Sequence, residues 1–297
     1  MRLFSPAKIN LFLAVTGRRA DGFHDLVSVA APLAFGDGLT VDIADGPGDE
    51  LFCDHPAVPA GPDNLVRKAA VVFRRATGLR TRFVFRLEKR IPPGGGFGGG
   101  SGNAARALEA MNALSGNPLP PEGLSAAALA VGSDCPLFLA GGPVVMRGRG
   151  GIVEPLPDPA DFLSGWRVGL FDPGFASATG DLYRSFAGTG RFTPPEAAES
   201  TLAAALEAFR SGDPGPLLRN DLGSVLAGKY LFYGTLASIL AHGGLPHFGI
   251  TGSGSGCFVL FRGEGGGDVL RAIADEFLGP GFLVETGFAA GDDARVA

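Results

Sequence analysis

Four stretches of the chain carry residues arranged for chemistry. The densest is Pro92-Pro93-Gly94-Gly95-Gly96-Phe97-Gly98-Gly99-Gly100-Ser101-Gly102, in which seven of the nine positions from 94 to 102 are glycine. Each glycine costs backbone entropy to order, so the run needs a reason. Glycine lets backbone N–H groups turn toward one centre, and a helix starting beyond it adds unpaired N–H groups and the positive end of its dipole. The chemistry implied is anion binding, most simply of phosphate. In Ala7 to Val15, Lys8 and Asn10 fall on one face of a strand and Ile9, Leu11, Leu13 and Val15 on the other. Two polar residues thus point together. In Gly17-Arg18-Arg19-Ala20-Asp21-Gly22-Phe23-His24 two turn glycines lead to an aromatic ring beside an imidazole. That pair reads equally as core or as one wall of a site. In Ser133-Asp134-Cys135-Pro136, Asp134 reads as the N-cap of a short helix, because a proline two places on suits a first turn.

Alternatives to phosphate binding are weaker. Gly94, Gly96 and Gly99 match G-x-G-x-x-G, but the match lies far from the N-terminus, after two prolines. It also lacks a strand ending in an acidic residue about 20 positions later to hold a ribose. A Walker loop is excluded, since no Lys-Ser or Lys-Thr follows the glycines. A linker would separate independent domains rather than cap an amphipathic helix.

The elements around the loop set its role. Thr81 to Leu87 reads as a strand entering it, and Asn103 to Leu114 as a helix leaving it, with Ala104, Ala107, Leu108, Met111 and Leu114 on the core side. Val27 to Leu33 and Leu39 to Ile43 read as two strands joined by a Gly36-Asp37-Gly38 turn. Leu65 to Thr77 is an amphipathic helix capped by Asp63 or Asn64. Leu124 to Val131 is a short helix stopped at Gly132. A proline-rich segment at 155–159 marks a boundary, giving domains 1–157 and 158–297. The second half reads as a strand Trp166 to Phe171, helices at 180–186, 195–210 and 229–242, and a strand His247 to Ile250. A glycine-serine turn at 251–256, a strand Cys257 to Phe261, a helix Asp268 to Phe277 and a strand near Phe282 to Thr286 follow. The fold class is α+β, with helices covering sheet faces.

Composition narrows the function classes. At 297 residues with 45% hydrophobic and 19% charged residues, the chain can build ample cores and is not disordered. A formal charge of -5, with no long basic block, argues against a general nucleic-acid or membrane-surface role. Cys53, Cys135 and Cys257 are odd in number and widely spaced, which suggests neither a disulfide framework nor a metal site and fits a reducing cytoplasm. No apolar run reaches the length of a membrane span.

Three segments now align with one family. Pro6-Ala7-Lys8-Ile9-Asn10-Leu11, the loop from Pro93 to Asn103, and Thr251-Gly252-Ser253-Gly254-Ser255-Gly256 resemble, in order and spacing, the signature regions of the GHMP small-molecule kinases. The segments 17–24 and 132–139 resemble the branch acting on cytidine diphosphate methylerythritol in non-mevalonate isoprenoid biosynthesis. The resemblance implies an N-terminal ribosomal-S5-like domain and a C-terminal ferredoxin-like domain with the site between them. It implies ATP with Mg²⁺ as phosphate donor, Asp134 as base on the acceptor 2-hydroxyl and Lys8 as its catalytic partner. Residues Pro92 to Gly102 would hold the ATP phosphates, and Asn64 and Leu65 would lie beside adenine. Asn10 and His24 would hydrogen-bond the cytidine, whose ring would stack between Phe23 and Tyr183. Gly102 stands where the family usually has a second serine and Phe97 where leucine is usual, leaving Ser101 as the hydroxyl near phosphate or Mg²⁺. Two other readings compete: a GHMP kinase of the homoserine or mevalonate type, which has no use for Phe23 and His24, and a nucleotide-binding sensor without turnover, expected to have lost Lys8 or Asp134.

Overall fold

A computed structural model describes residues 1–158, 162–175, 177–279 and 283–289. Two long antiparallel strands, β1 (Arg2–Arg18) and β2 (His24–Ala44), form its spine. β3 (Glu50–Cys53) pairs parallel with β4 (Arg82–Glu88), which pairs antiparallel with β2. β5 (Val144–Gly148) pairs with the earlier stretch Leu26–Ala30 of β2 and with β6 (Ile152–Pro155). A second sheet, ordered β11-β7-β10-β9, comprises β7 (Trp166–Phe171), β9 (His247–Ile250), β10 (Cys257–Arg262) and β11 (Leu283–Gly287). The short β8 (Arg219–Asn220) joins the first sheet by pairing parallel with Phe12 and Leu13 of β1. The predicted mixture of helix and sheet holds; Phe282, where the last strand was expected to begin, lies outside the described residues.

The predicted turn at 36–38 is instead part of β2. Gly36 faces Pro6, and the β1 backbone runs so close that a Cβ there would sit 2.3 Å from the Ser5 carbonyl oxygen. Glycine lets the two strands stay paired through the irregularity that follows Pro6. The single apolar face expected for β1 also breaks. An extra residue at Leu11 shifts the register between Asn10/Ala30 and Phe12/Val29. Ile9, Leu11, Phe12 and Ala14 therefore share one core, while Leu13 and Val15 enter another, on the side that carries Lys8 and Asn10.

Helices α1 (Leu65–Thr77), α2 (Gly99–Leu114) and α3 (Pro121–Val131) cover part of the first sheet. Their apolar stripes, including Val66, Phe73, Ala104, Leu108, Met111 and Ala128, pack on Leu39, Val41, Phe83 and Phe85. Asn64 caps α1, its Oδ1 accepting from the Val66 N–H at 2.9 Å. Helix α2 starts four residues earlier than expected, so the end of the glycine run is its first turn. Gly132 ends α3 in an extended conformation rather than a left-handed one.

β10 shows the period-2 rule for a strand buried on both faces: Phe258 and Leu260 join the core shared by the two sheets, while Val259 and Phe261 point to the other side. Helices α4 (Thr179–Gly188), α5 (Pro195–Arg210), α6 (Asp221–Lys229), α7 (Leu231–His242) and α8 (Glu264–Phe277) complete the chain. The one helix expected around 229–242 is preceded by α6, and α6 meets α7 at 103°. Among the described residues no single helix is long and apolar enough to cross a membrane.

Candidate active site

Lys8 enters the site from the middle of β1, where its N–H donates to the Phe97 carbonyl at 2.9 Å, so strand and glycine loop are joined at this residue. Its side chain is 4% exposed, and Nζ lies 2.6 Å from Asn10 Oδ1 and 3.6 Å from Asp134 Oδ2. Burial pushes the amine below the usual lysine range, and Asp134 opposes that fall. Asn10 Nδ2 donates to Ser28 Oγ, which donates to the Phe12 carbonyl. Both polar atoms of Asn10 thus have partners inside the protein, and its Oδ1 holds Lys8 in place, while Asn10 also lines the smaller of the two cavities described below.

Asp134 does not cap a helix. The 3-10 turn Pro136–Leu139 follows Cys135 without a side-chain cap, and the Asp134 carboxylate, 43% exposed, faces Lys8. Beside it the Cys135 thiol is buried, and burial pushes its pKa up to about 12.

The glycine loop crosses to the 251–256 turn, with the Gly256 N–H donating to the Gly95 carbonyl and the Asn10 N–H to Thr251 Oγ1. The Phe97 ring fills the space between loop and turn, where a Cβ on Gly95 would come within 2.8 Å of it and one on Gly256 within 2.3 Å. Gly98, at φ +76°, precedes α2 where a Cβ would meet Lys8 Cγ at 2.7 Å. Gly95 and Gly102 do not line the cleft, and the Gly102 N–H is already given to the Gly98 carbonyl at 2.9 Å. A side chain at 102 would also press on Ser5 Oγ at 2.9 Å, which explains glycine there. The amides left at the start of α2 are those of Gly99, Gly100 and Ser101.

Two cavities meet at Gly96, Gly98 and Ser253. One, of about 520 Å³, is lined by Asn64, Leu65, Pro92, Pro93, Gly94, Gly99, Gly100 and Ser101, with Thr179 opposite. The other, of about 160 Å³, holds Lys8, Asn10, Asp134 and Tyr183. Tyr183 stacks on His24 with ring centroids 4.9 Å apart, so an aromatic predicted from a weakly matching segment does reach the site. Burial raises its phenol above the usual tyrosine range. His24 is 9% exposed, and burial and Arg18 hold its imidazole below the usual range. Phe23, 51% exposed, lies under the Arg149 guanidinium at 3.5 Å and outside both cavity linings.

Sequence reasoning missed Thr179, whose hydroxyl contacts Ser253 Oγ at 2.9 Å across from the loop, and Lys89 in the larger cavity wall. Lys89 had a signal, a lysine immediately ahead of an anion loop; Thr179 had none. Among the described residues, no three His, Cys, Asp or Glu side chains converge as a metal cage would require.

The GHMP kinases N terminal domain family matches residues 64–142. The chain is 38% identical over 275 residues to the 4-diphosphocytidyl-2-C-methyl-D-erythritol kinase of Xanthomonas axonopodis pv. citri (strain 306), covering 92% of this chain and 84% of that one. A crystal structure of 4-(cytidine 5'-diphospho)-2C-methyl-D-erythritol kinase superposes with a TM-score of 0.78 and 31% identity, over 98% of this chain and 100% of that chain. The homoserine kinase of Cytophaga hutchinsonii, at 16% identity and TM-score 0.72 over 98% and 94% of the two chains, shares the fold. With its paired lysine and aspartate beside a glycine-lined cleft, the chain belongs to the 4-diphosphocytidyl-2-C-methyl-D-erythritol kinase family of GHMP kinases.

Proposed function

We propose that the chain transfers the γ-phosphoryl group of ATP to the 2-hydroxyl of 4-diphosphocytidyl-2-C-methyl-D-erythritol. The observation that carries this reading is the Lys8–Asp134 pair, 3.6 Å apart in the smaller cavity, which shares Gly96, Gly98 and Ser253 with the larger one. The larger cavity takes ATP, with adenine beside Asn64 and Leu65 and phosphates on the free amides of Gly99, Gly100 and Ser101. The smaller cavity takes the acceptor alcohol.

Phosphoryl transfer proceeds through a loose transition state, so the protein must chiefly align the partners and offset charge. Asp134 accepts the proton of the attacking hydroxyl as the new P–O bond forms and the bond to ADP breaks. Lys8, held by Asn10, orients that hydroxyl and balances charge. His24 and Tyr183 recognise the cytidine, and the exposed Phe23, beside His24 in the chain and outside both cavity linings, offers for stacking the ring face that Arg149 leaves uncovered. The donor set fits a magnesium ion brought by the nucleotide, since hard oxygens such as the Ser101 hydroxyl are at hand and, among the described residues, no protein cage is. Magnesium would neutralise phosphate charge there.

We assign residues 1–157 and 158–297 to the ribosomal-S5-like and ferredoxin-like domains of this fold. The two sheets support that division, since apart from the two-residue β8 each is built from strands of one half. Three free cysteines, two of them buried, support a reducing compartment such as the cytoplasm. Retention of both Lys8 and Asp134 in contact argues against a sensor. ADP release from ATP, measured in turn with the cytidine alcohol, homoserine and mevalonate, tests the proposal. Turnover with homoserine or mevalonate alone would replace the substrate assignment, and turnover with none would favour the sensor.

A further inference from the structure

Behind the glycine loop lies a buried carboxylate that the proposed chemistry does not use. Asp37, in the irregular part of β2, is 1% exposed. Its Oδ1 accepts from the N–H groups of Arg90 at 2.7 Å and Ile91 at 2.8 Å, the last residues before the loop. Its Oδ2 accepts from Asn103 Nδ2 at 3.0 Å, just past the loop in the first turns of α2, and from Lys89 Nζ. Asn103, 2% exposed, also donates to Ser5 Oγ at 2.9 Å and accepts from Lys89 Nζ at 3.2 Å. One carboxylate thus ties both ends of the 92–102 segment together and to the sheet.

Burying a carboxylate and an ammonium is costly, and an apolar pair of similar volume often serves stability as well or better. Four donors on one carboxylate make sense where geometry has to be fixed. The loop between the two ends is mostly glycine and has little intrinsic stiffness, so the positions of its amides depend on how its ends are held. A Cβ on Gly99 would lie 3.0 Å from Lys89 Nζ, so the loop backbone rests directly on this cluster. We propose that Asp37 is a positioning residue for nucleotide binding, a clamp that sets the spacing of the loop's ends and so the direction of the Gly99, Gly100 and Ser101 amides. The inference rests on the reading of the loop as the nucleotide site.

The test compares wild type with Asp37→Asn, which puts an amide where the carboxylate met Lys89 and Asn103, and with Asn103→Ala, which leaves Asp37 and Lys89 paired. Calorimetry with ADP and Mg²⁺ reads nucleotide affinity without turnover, and thermal melting identifies folded variants. Misdirected amides should weaken ADP binding by about tenfold or more in both variants. KM for the cytidine alcohol should stay within about twofold, because the clamp does not touch the smaller cavity. A role confined to stability would lower the melting temperature and leave the affinity of the folded protein unchanged, which overturns the proposal. Weak binding in Asn103→Ala with normal binding in Asp37→Asn also overturns it, assigning the effect to Asn103 alone. Should Asp37→Asn not fold, Asp37→Glu, which keeps the charge and lengthens the side chain, takes its place, and normal ADP affinity there refutes the clamp. A wild-type protein that does not bind ADP removes the nucleotide reading and the clamp with it, whereas normal ADP binding by all three proteins refutes only the clamp.

Discussion

Replacing Asp134 by asparagine separates proton transfer from electrostatics, because shape is kept while charge and basicity are lost. The lost attraction can be worked from the 3.6 Å separation to Lys8 Nζ. It is about 1 kcal/mol at the dielectric constant of water and about 4–5 kcal/mol at an effective value near 20. Because the Asp134 side chain is 43% exposed, water screens the pair and the lower end applies, ~1–2 kcal/mol. No helix cap is lost, since Asp134 makes none. At ~2–4 °C per kcal/mol for chains somewhat shorter than this one, melting should fall by only a few degrees. A general base is worth about 10²- to 10⁴-fold in rate, or ~2.7–5.4 kcal/mol of barrier. The rate loss therefore exceeds what the ion pair alone explains. The assay is steady-state ADP release at saturating substrates, with calorimetry to show that ADP still binds. Asp134→Asn should lose at least about 10²-fold in kcat. Lys8→Met should lose a comparable amount, and the double variant should be little worse, as expected of groups acting as a unit. A folded Asp134→Asn protein within about tenfold of wild-type kcat would refute the base, leaving the aspartate as a partner that only steadies Lys8.

Further tests address the rest of the cleft. Gly100 is exposed, lines the larger cavity, and a Cβ there meets only Leu65 Cδ1 at 3.5 Å. Gly100→Val should therefore keep the fold and raise the KM for ATP by about tenfold through obstruction of the helix N-terminus, read by initial rates. Gly98→Ala should instead lose both melting temperature and activity, because its positive φ costs ~1–2 kcal/mol and its methyl displaces Lys8. Phe23→Ala should leave melting nearly unchanged and raise KM for the cytidine alcohol about 5- to 150-fold, the equivalent of ~1–3 kcal/mol of stacking; equal rises for both substrates would place Phe23 outside recognition. Burial and Arg18 hold the His24 imidazole below its usual range, so as pH falls below about 6.5 the unfolded chain takes up its proton first. Stability contributed by this residue should then decline until the lower folded pKa is passed, and His24→Gln should flatten the slope of denaturant-derived stability between pH 7.5 and pH 5.5. An unchanged slope would refute the assignment.

Local chemistry written in the chain was enough to mark the glycine loop, the capping of α1 at Asp63 or Asn64, which the structure settles as Asn64, and the amphipathic stripe of that helix. Glycine content, an Asn before an apolar periodic run and 3.6-residue spacing all act within a few residues of themselves. Side-chain pairing from distant segments was not legible in that way. Residue types alone left Asp134 as a helix cap; its role as partner of Lys8 appears only when β1 and the 133–139 turn meet. The face taken by Leu13 depends on a one-residue register shift against β2, which no alternation pattern encodes. Asp37 read as a turn residue between two glycines because its four donors come from residues more than 50 positions away. Asn10, legible as a polar neighbour of Lys8, has its partners fixed by Ser28 and Thr251 on other elements. Sequence thus determined which segments could bind an anion and most of those that would be helix or strand, because those preferences are local, while residues 36–38 and α6 were decided by packing. Only tertiary structure decided which polar groups are spent on one another and which remain for a ligand, because burial and hydrogen-bond partnership are settled between segments far apart in the chain.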